Sequence, residues 1–301
     1  MVHTANRQNI TVFGHRGARG IYPENTMAGF QYLRDIGVNA VEVDVQNAAN
    51  RLTVVAHDPY VTMYNDGNVH SQLIRHTTAT EIAQLKVGAL RPDSDDAIMF
   101  PDQACLPNER VPTFAEFCEW ASQNPLLLLN VEIKSHAEQD DIYDPPEIIV
   151  SDVVDLLEKH NLSQFCVISS FDWRVLFACA ARAPAIARGY LTLEQNHGTF
   201  MVPNIVDGSD WMAGVTRRDH NDSLPETIAA LGGKVWCPYF KDLTANDLAQ
   251  AQALGLVVNV WTVNTLSDIN VMADMGVDGI ISDYPARVQN VLKQRSSVLS
   301  D

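Results

Sequence analysis

Val41-Glu42-Val43-Asp44-Val45 is the stretch on which the fold turns. Side chains alternate across a β-strand, so both carboxylates lie on one face and the three valines on the other. Val131-Glu132-Ile133-Lys134 repeats the design further along the chain. Ordinary amphipathic strands open to water would read the same way, but strands of a parallel sheet are covered on both sides and offer no such face. In a closed barrel the valines meet the surrounding helices and the acids face the interior or its mouth. Like charges crowd there at a cost unless a cation sits between them.

The rest of the chain supports the parallel sheet. Short β-branched runs at residues 10–14, 40–45, 127–133, 165–169, 185–191, 234–238, 256–261 and 279–282 alternate with segments of helical periodicity. The helical patterns cover 25–36, 145–160, 173–183, 245–254, 266–275 and 286–294, with a weaker one at 225–231. Thr244 and Thr265 suit N-caps, Gly37, Gly255 and Gly276 suit helix ends, and Pro145 suits a first turn. After the first strand the chain reads GHRGARG rather than the dinucleotide fingerprint GxGxxG. The expectation is therefore an α/β fold, a (β/α)8 TIM barrel in a single domain spanning 1–301, and not an open doubly wound sheet. Residues 59–110 carry one helical pattern, at 80–85, and read as an insertion over one barrel mouth; residues 196–223 read as irregular.

Among the 301 residues, 21 are basic and 37 acidic, a net charge of −16, so no broad positive field exists to attract nucleic acid or an anionic membrane. Any phosphate must be held locally, and a divalent cation would offset both the acids and an anionic substrate. Five widely spaced cysteines without a CxxC pair suggest neither a disulfide framework nor a zinc site, and fit a reducing cytoplasm. No apolar run of signal-peptide or membrane-spanning length appears, so stable membrane insertion is not expected.

Chemistry concentrates at the strand ends. Glu42, Asp44 and Glu132 form a hard-oxygen set suited to one Mg²⁺ or Ca²⁺, with Lys134 placed to bind an anion beside it. His15 and His57 each end an extended segment, the side of such barrels where catalytic groups gather, and a pair of imidazoles can accept one proton while donating another. Arg16 either clamps a phosphate oxygen or pairs with Glu24 to shape its loop. Asn25 reads as the N-cap of the first helix, and Trp261 as a pocket wall or a packed core residue. The remaining histidines, His3, His136 and His220 among them, read as structural.

Nine motifs then fall in a familiar order: HRG (15–17), PENT (23–26), EVDV (42–45), VVAHDP (54–59), PTFAE (112–116), VEIK (131–134), SSFD (169–172), VWTVN (260–264) and GVDGIISDYP (276–285). From about residue 10 to 290 the chain resembles the glycerophosphodiester phosphodiesterase family. The resemblance implies a (β/α)8 barrel with a small subdomain inserted after the second strand, hydrolysing small-molecule glycerophosphodiesters to glycerol 3-phosphate and an alcohol. It implies Glu42, Asp44 and Glu132 as metal ligands, His15 and His57 as the acid/base pair, Arg16 and Lys134 as phosphate binders, and Trp261 in the glycerol pocket. His57 is the choice to protonate the departing alcohol, with the reverse assignment of the two histidines left open, while the attacking oxygen belongs to water or to the neighbouring glycerol hydroxyl, which would give a cyclic phosphate first. Beyond His57-Asp58-Pro59 the sequence departs from the family pattern with Tyr60-Val61-Thr62-Met63-Tyr64-Asn65-Asp66-Gly67, which leaves the alcohol open. Two rivals stay in view: a phospholipase D-type barrel acting on lysophospholipids or sphingomyelin, and a non-catalytic barrel that binds phosphodiesters. A homo-oligomer is compatible with all three.

Overall fold

The computed structural model describes residues 10–65, 68–90, 92–124, 127–198 and 202–298; His3, Asp66, Gly67 and part of the irregular stretch 196–223 lie outside them. Eleven strands are described: β1 (Thr11–Gly14), β2 (Ala40–Ala48), β3 (Leu52–Val55), β4 (Tyr60–Asn65), β5 (Asn68–Leu73), β6 (Leu128–Ile133), β7 (Cys166–Ser170), β8 (Ala187–Thr192), β9 (Val235–Pro238), β10 (Val257–Val260) and β11 (Gly279–Ser282). Ten helices accompany them among the described residues: α1 (Met27–Asp35), α2 (Ala79–Ile82), α3 (Asp95–Met99), α4 (Phe114–Ser122), α5 (Pro146–Lys159), α6 (Trp173–Arg182), α7 (Leu224–Ala230), α8 (Ala245–Ala253), α9 (Leu266–Met275) and α10 (Pro285–Val298).

Strands β1, β2 and β6 to β11 run parallel, and β1 closes the ring by pairing with both β2 (Gly14 with Val41) and β11 (Thr11 with Gly279). The result is the expected (β/α)8 barrel. Val41, Val43 and Val45 turn outward into a core shared with Phe30 and Leu33 of α1 and Phe117 of α4. The strands crowd closely at two glycines: a Cβ on Gly189 would lie 2.9 Å from Val167 Cγ1, and one on Gly279 would lie 2.2 Å from Asn259 Oδ1.

Strand β2 outruns its neighbour. Its pairing with β6 stops at Val45–Ile133, while the residues beyond turn back through β3, which pairs antiparallel from Ala48–Leu52 to Val45–Val55. His57 therefore reaches the mouth on a chain returning from above, not at the end of a barrel strand.

Several sequence expectations change. Helix α1 starts at Met27, capped by Thr26, whose hydroxyl accepts from Gly29 N at 3.3 Å; Asn25 is not the cap and takes a left-handed φ of 54°. Helix α4 was absent from the expected set, although Thr113 and Glu116 form a full capping box ahead of it. The 59–110 stretch holds the β4–β5 hairpin and α3 as well as α2. The described part of 196–223 contains short 3-10 turns at Asp210–Met212 and Arg217–His220. All five cysteines are free thiols, and no described helix is long and apolar enough to cross a membrane.

Candidate active site at the barrel mouth

Because β2 and β6 are neighbours with Asp44 opposite Glu132, the alternation read from the sequence brings three carboxylates together. Ligand atoms of Glu42, Asp44 and Glu132 lie within 4.8 Å of one another, and all three residues are buried. Glu42 Oε1 and Asp44 Oδ1 are enclosed with no hydrogen-bond partner among the described residues. Buried oxygens left unsatisfied in an all-carboxylate cluster fit a hard divalent cation. Burial, reinforced by Asp44 and Glu132, pushes the Glu42 carboxyl well above the usual range. Burial acts on Asp44 in the same direction, but Arg16, His57 and Lys134 outweigh it and hold that group below its usual range.

The two cations expected at the phosphate are both next to the acids. Lys134 Nζ sits 2.5 Å from Glu132 Oε1 and 3.6 Å from Asp44 Oδ1. Arg16 Nη1 donates to both oxygens of Glu24, at 3.1 and 3.0 Å, and its Nε lies 3.3 Å from Asp44 Oδ2. The Arg16–Glu24 pairing is present, and the same guanidinium also stands beside the acidic cluster. Its backbone adopts φ 49° and its amide donates to Glu42 Oε2 at 2.8 Å, which ties the β1–α1 loop to the acids.

Each histidine is backed by a carboxylate. His15 Nδ1 is 2.6 Å from Asp283 Oδ1, and its Nε2 is 3.9 Å from Glu42 Oε2. His57 Nδ1 is 2.6 Å from Asp58 Oδ1. Both contacts assign the Nδ1–H tautomer and leave Nε2 available. Burial, then Arg16 and Lys134, lower the pKa of His57 against the opposing pull of Asp44 and Asp58.

Sequence reading missed the parts played by Asn25, Asp283 and Asn264. Asn25 Nδ2 donates to Asp44 Oδ2 at 2.9 Å, so this residue of the PENT motif holds a member of the acidic cluster. Asp283 orients His15 and accepts from Asn264 Nδ2 at 2.6 Å, which joins the VWTVN and GVDGIISDYP motifs in one hydrogen-bonded chain. Trp261, just past the end of β10, is half-buried, packed edge-on against Phe171 and donating from Nε1 to Cys237 O at 2.8 Å. His197, read as structural, also meets a carboxylate, Asp242, at 2.6 Å.

A (β/α)8 barrel with clustered acids, paired imidazoles and two cations at its C-terminal mouth defines a class of barrel enzymes for anionic phosphate esters. Within that class, the glycerophosphoryl diester phosphodiesterase family model matches residues 15–287, and the chain belongs to that family. A crystal structure of a candidate glycerophosphoryl diester phosphodiesterase from Silicibacter pomeroyi is 33% identical with a TM-score of 0.81, covering 95% of this chain and 94% of the other. A glycerophosphodiester phosphodiesterase of Caldanaerobacter subterraneus is 25% identical over 94% of this chain and 98% of its own length. An Oleispira antarctica phosphodiesterase, solved with the product sn-glycerol-3-phosphate, has the same fold at 24% identity and a TM-score of 0.69, over 94% of this chain and 96% of the other.

Proposed function

We propose that this phosphodiesterase hydrolyses water-soluble glycerophosphodiesters, glycerophosphocholine and glycerophosphoethanolamine among them, to sn-glycerol 3-phosphate and the free alcohol, with Mg²⁺ or Ca²⁺ held by Glu42, Asp44 and Glu132. The observation that carries this reading is the convergence of those three carboxylates with His15, Arg16 and Lys134 at one end of the barrel. A bound divalent cation would polarise the phosphoryl oxygens and offset the charge of the acids. Arg16 and Lys134 share the negative charge that grows on those oxygens as the reaction proceeds. His15, aligned by Asp283, accepts the proton of the attacking oxygen, either from water, which gives glycerol 3-phosphate directly, or from the glycerol 2-hydroxyl, which gives a cyclic phosphate that water then opens to glycerol 3-phosphate. His57 donates a proton to the alcohol oxygen as its bond to phosphorus breaks, and a bound anionic diester favours the protonated imidazole this requires. The segment 59–110 caps the mouth, a reading supported by the Arg19–Asp96 ion pair at 2.8 Å that joins it to the β1–α1 loop. Free cysteines are in keeping with a reducing cytoplasm.

Release of glycerol 3-phosphate from glycerophosphocholine tests the reaction, and excess chelator should abolish it until Mg²⁺ or Ca²⁺ is restored; full turnover in chelator would remove the cation from the reading. His57→Ala should lower turnover of the choline diester by roughly 10²–10⁴-fold. On the p-nitrophenyl diester of glycerol 3-phosphate, whose phenolate departs without a proton, the same variant should keep most of its rate. Equal losses on both esters would take the acid role away from His57.

A further inference from the structure

The loop from β6 to α5 brings Tyr143 to the edge of the active site. Its phenol is within electrostatic reach of Lys134, Asp58, Glu132 and Asp44, so it neighbours both the acidic cluster and the carboxylate that backs His57. We propose that Tyr143 is a further catalytic residue, whose hydroxyl donates a hydrogen bond to the phosphoryl oxygen that Lys134 binds. The inference rests on the phosphodiesterase reading above and adds to it an uncharged donor beside the two cations.

The backbone around Tyr143 is fixed. Earlier in the loop, His136 O accepts from Arg174 Nη2 at 3.1 Å and Asp140 O from Arg75 Nη1 at 2.7 Å. Directly after Tyr143, Asp144 Oδ2 accepts from Asn47 Nδ2 at 2.9 Å, and Asp144 Oδ1 lies 3.3 Å from Arg75 Nε. Asn47 is buried and belongs to β2, the strand that carries Glu42 and Asp44. Lys134 is tied to the same strand, its amide donating to Val45 O at 2.9 Å. Tyr143 and Lys134 therefore hang from nearby positions of one strand, just past its acids. A donor set in place before substrate arrives needs no reorganisation when charge develops.

Charge explains why a phenol suits this position. Both cations at the site are already engaged, Arg16 by Glu24 and Asp44, and Lys134 by Glu132 and Asp44. A further carboxylate would repel an anionic diester, and a further cation would add to the repulsion between Arg16 and Lys134. A neutral hydroxyl supplies a donor and no charge. Burial, aided by Asp58, Glu132 and Asp44 and opposed by Lys134, pushes the phenol up to about 12, so it keeps the proton it donates at neutral pH. Among the described residues none accepts a hydrogen bond from this hydroxyl, which leaves it available to a ligand.

Tyr143→Phe removes the hydroxyl and nothing else. On glycerophosphocholine the variant should lose at least about tenfold in kcat and in kcat/KM alike; unchanged values would overturn the proposal. The two diastereomers of the phosphorothioate analogue, with sulfur in place of one or the other free phosphoryl oxygen, test the contact directly, because sulfur accepts hydrogen bonds weakly. One diastereomer should lose as much as the oxygen ester when Tyr143 becomes Phe. The other, with sulfur where the phenol donates, should lose less than about twofold. Equal losses on all three esters would assign Tyr143 to the shape of the loop and overturn the contact. Calorimetric titration of sn-glycerol 3-phosphate, with Mg²⁺ or Ca²⁺ present, needs no turnover. Tyr143→Phe should weaken this binding about threefold or more; equal affinity in the two proteins, or no binding to the wild type, would overturn the contact. If no ester were hydrolysed while that affinity still depended on Tyr143, the phosphodiesterase reading would fall and the phosphate contact would stand.

Discussion

His15 and Asp283 show how much of a site depends on a residue that never touches substrate. The carboxylate accepts from Nδ1, is itself 3% exposed, and is fixed from the other side by Asn264. Such a group sets the ring's orientation and tautomer, and its conversion to an amide can reverse both. On the proposed chemistry Asp283→Asn should lower kcat by roughly 10²–10⁴-fold with the fold retained, measured as turnover of glycerophosphocholine alongside circular dichroism. Unchanged kcat would show that His15 needs no orienting partner. His15 itself was legible because it stands at a strand end next to glycine; Asp283 was not, because 268 residues separate the pair and only barrel closure brings β11 beside β1. Asn25 escaped for a different reason. A short polar residue before a helix looks like a cap, and the left-handed backbone that turns its amide toward Asp44 leaves no mark in composition.

Among the elements, α4 carries the PTFAE motif, whose glutamate is structural. Thr113 accepts from Glu116 N at 3.2 Å while Glu116 Oε2 accepts from Thr113 N at 2.8 Å, and Arg110 also pairs with that carboxylate. Thr113→Ala should cost about 1 kcal/mol by chemical denaturation, with activity at saturating substrate little changed. Glu116 also makes stability depend on pH. Its hydrogen bond to Arg110, together with those from Thr113 and against the pull of burial, lowers its pKa from 4.5 to about 2. A depressed folded-state pKa gives stabilisation that is present above 4.5 and lost as the pH falls toward about 2. Glu116→Gln should flatten the stability curve in that window, and an unchanged slope would show that the carboxylate contributes nothing there. The helix was readable in principle, since T-x-x-E before an apolar run is an N-terminal signature. The β4–β5 hairpin was readable too, because Asp66-Gly67 separates two alternating runs. The antiparallel return of β3 was not, since a four-residue apolar strand carries no sign of its direction.

At the scale of the molecule, the barrel was legible because the eightfold β/α rhythm and the two-faced acidic strands agree with each other, whereas the path of 59–110 follows from tertiary contacts such as Arg19–Asp96 that no local pattern encodes. The same architecture concentrates negative charge where it is costly. A chain of net charge −16 places Glu42 inside a closed barrel, and burial, with Asp44 and Glu132, raises its pKa well above the usual range. A carboxyl with a raised folded-state pKa favours the folded form at low pH, and that contribution is lost as the pH rises through the folded value. In metal-free protein at neutral pH Glu42 therefore opposes folding. Glu42→Gln keeps an acceptor for the Arg16 amide and removes the charge, so it should raise Tm without metal. A cation bound to the folded form stabilises it by mass action, about 2.7 kcal/mol at a hundredfold excess over Kd. Wild-type Tm should therefore climb with added Mg²⁺ or Ca²⁺, while Glu42→Gln, one ligand short, should start higher and climb less. Opposite ordering in the two thermal scans would mean that the cluster is built to balance Arg16 and Lys134 and does not await a cation.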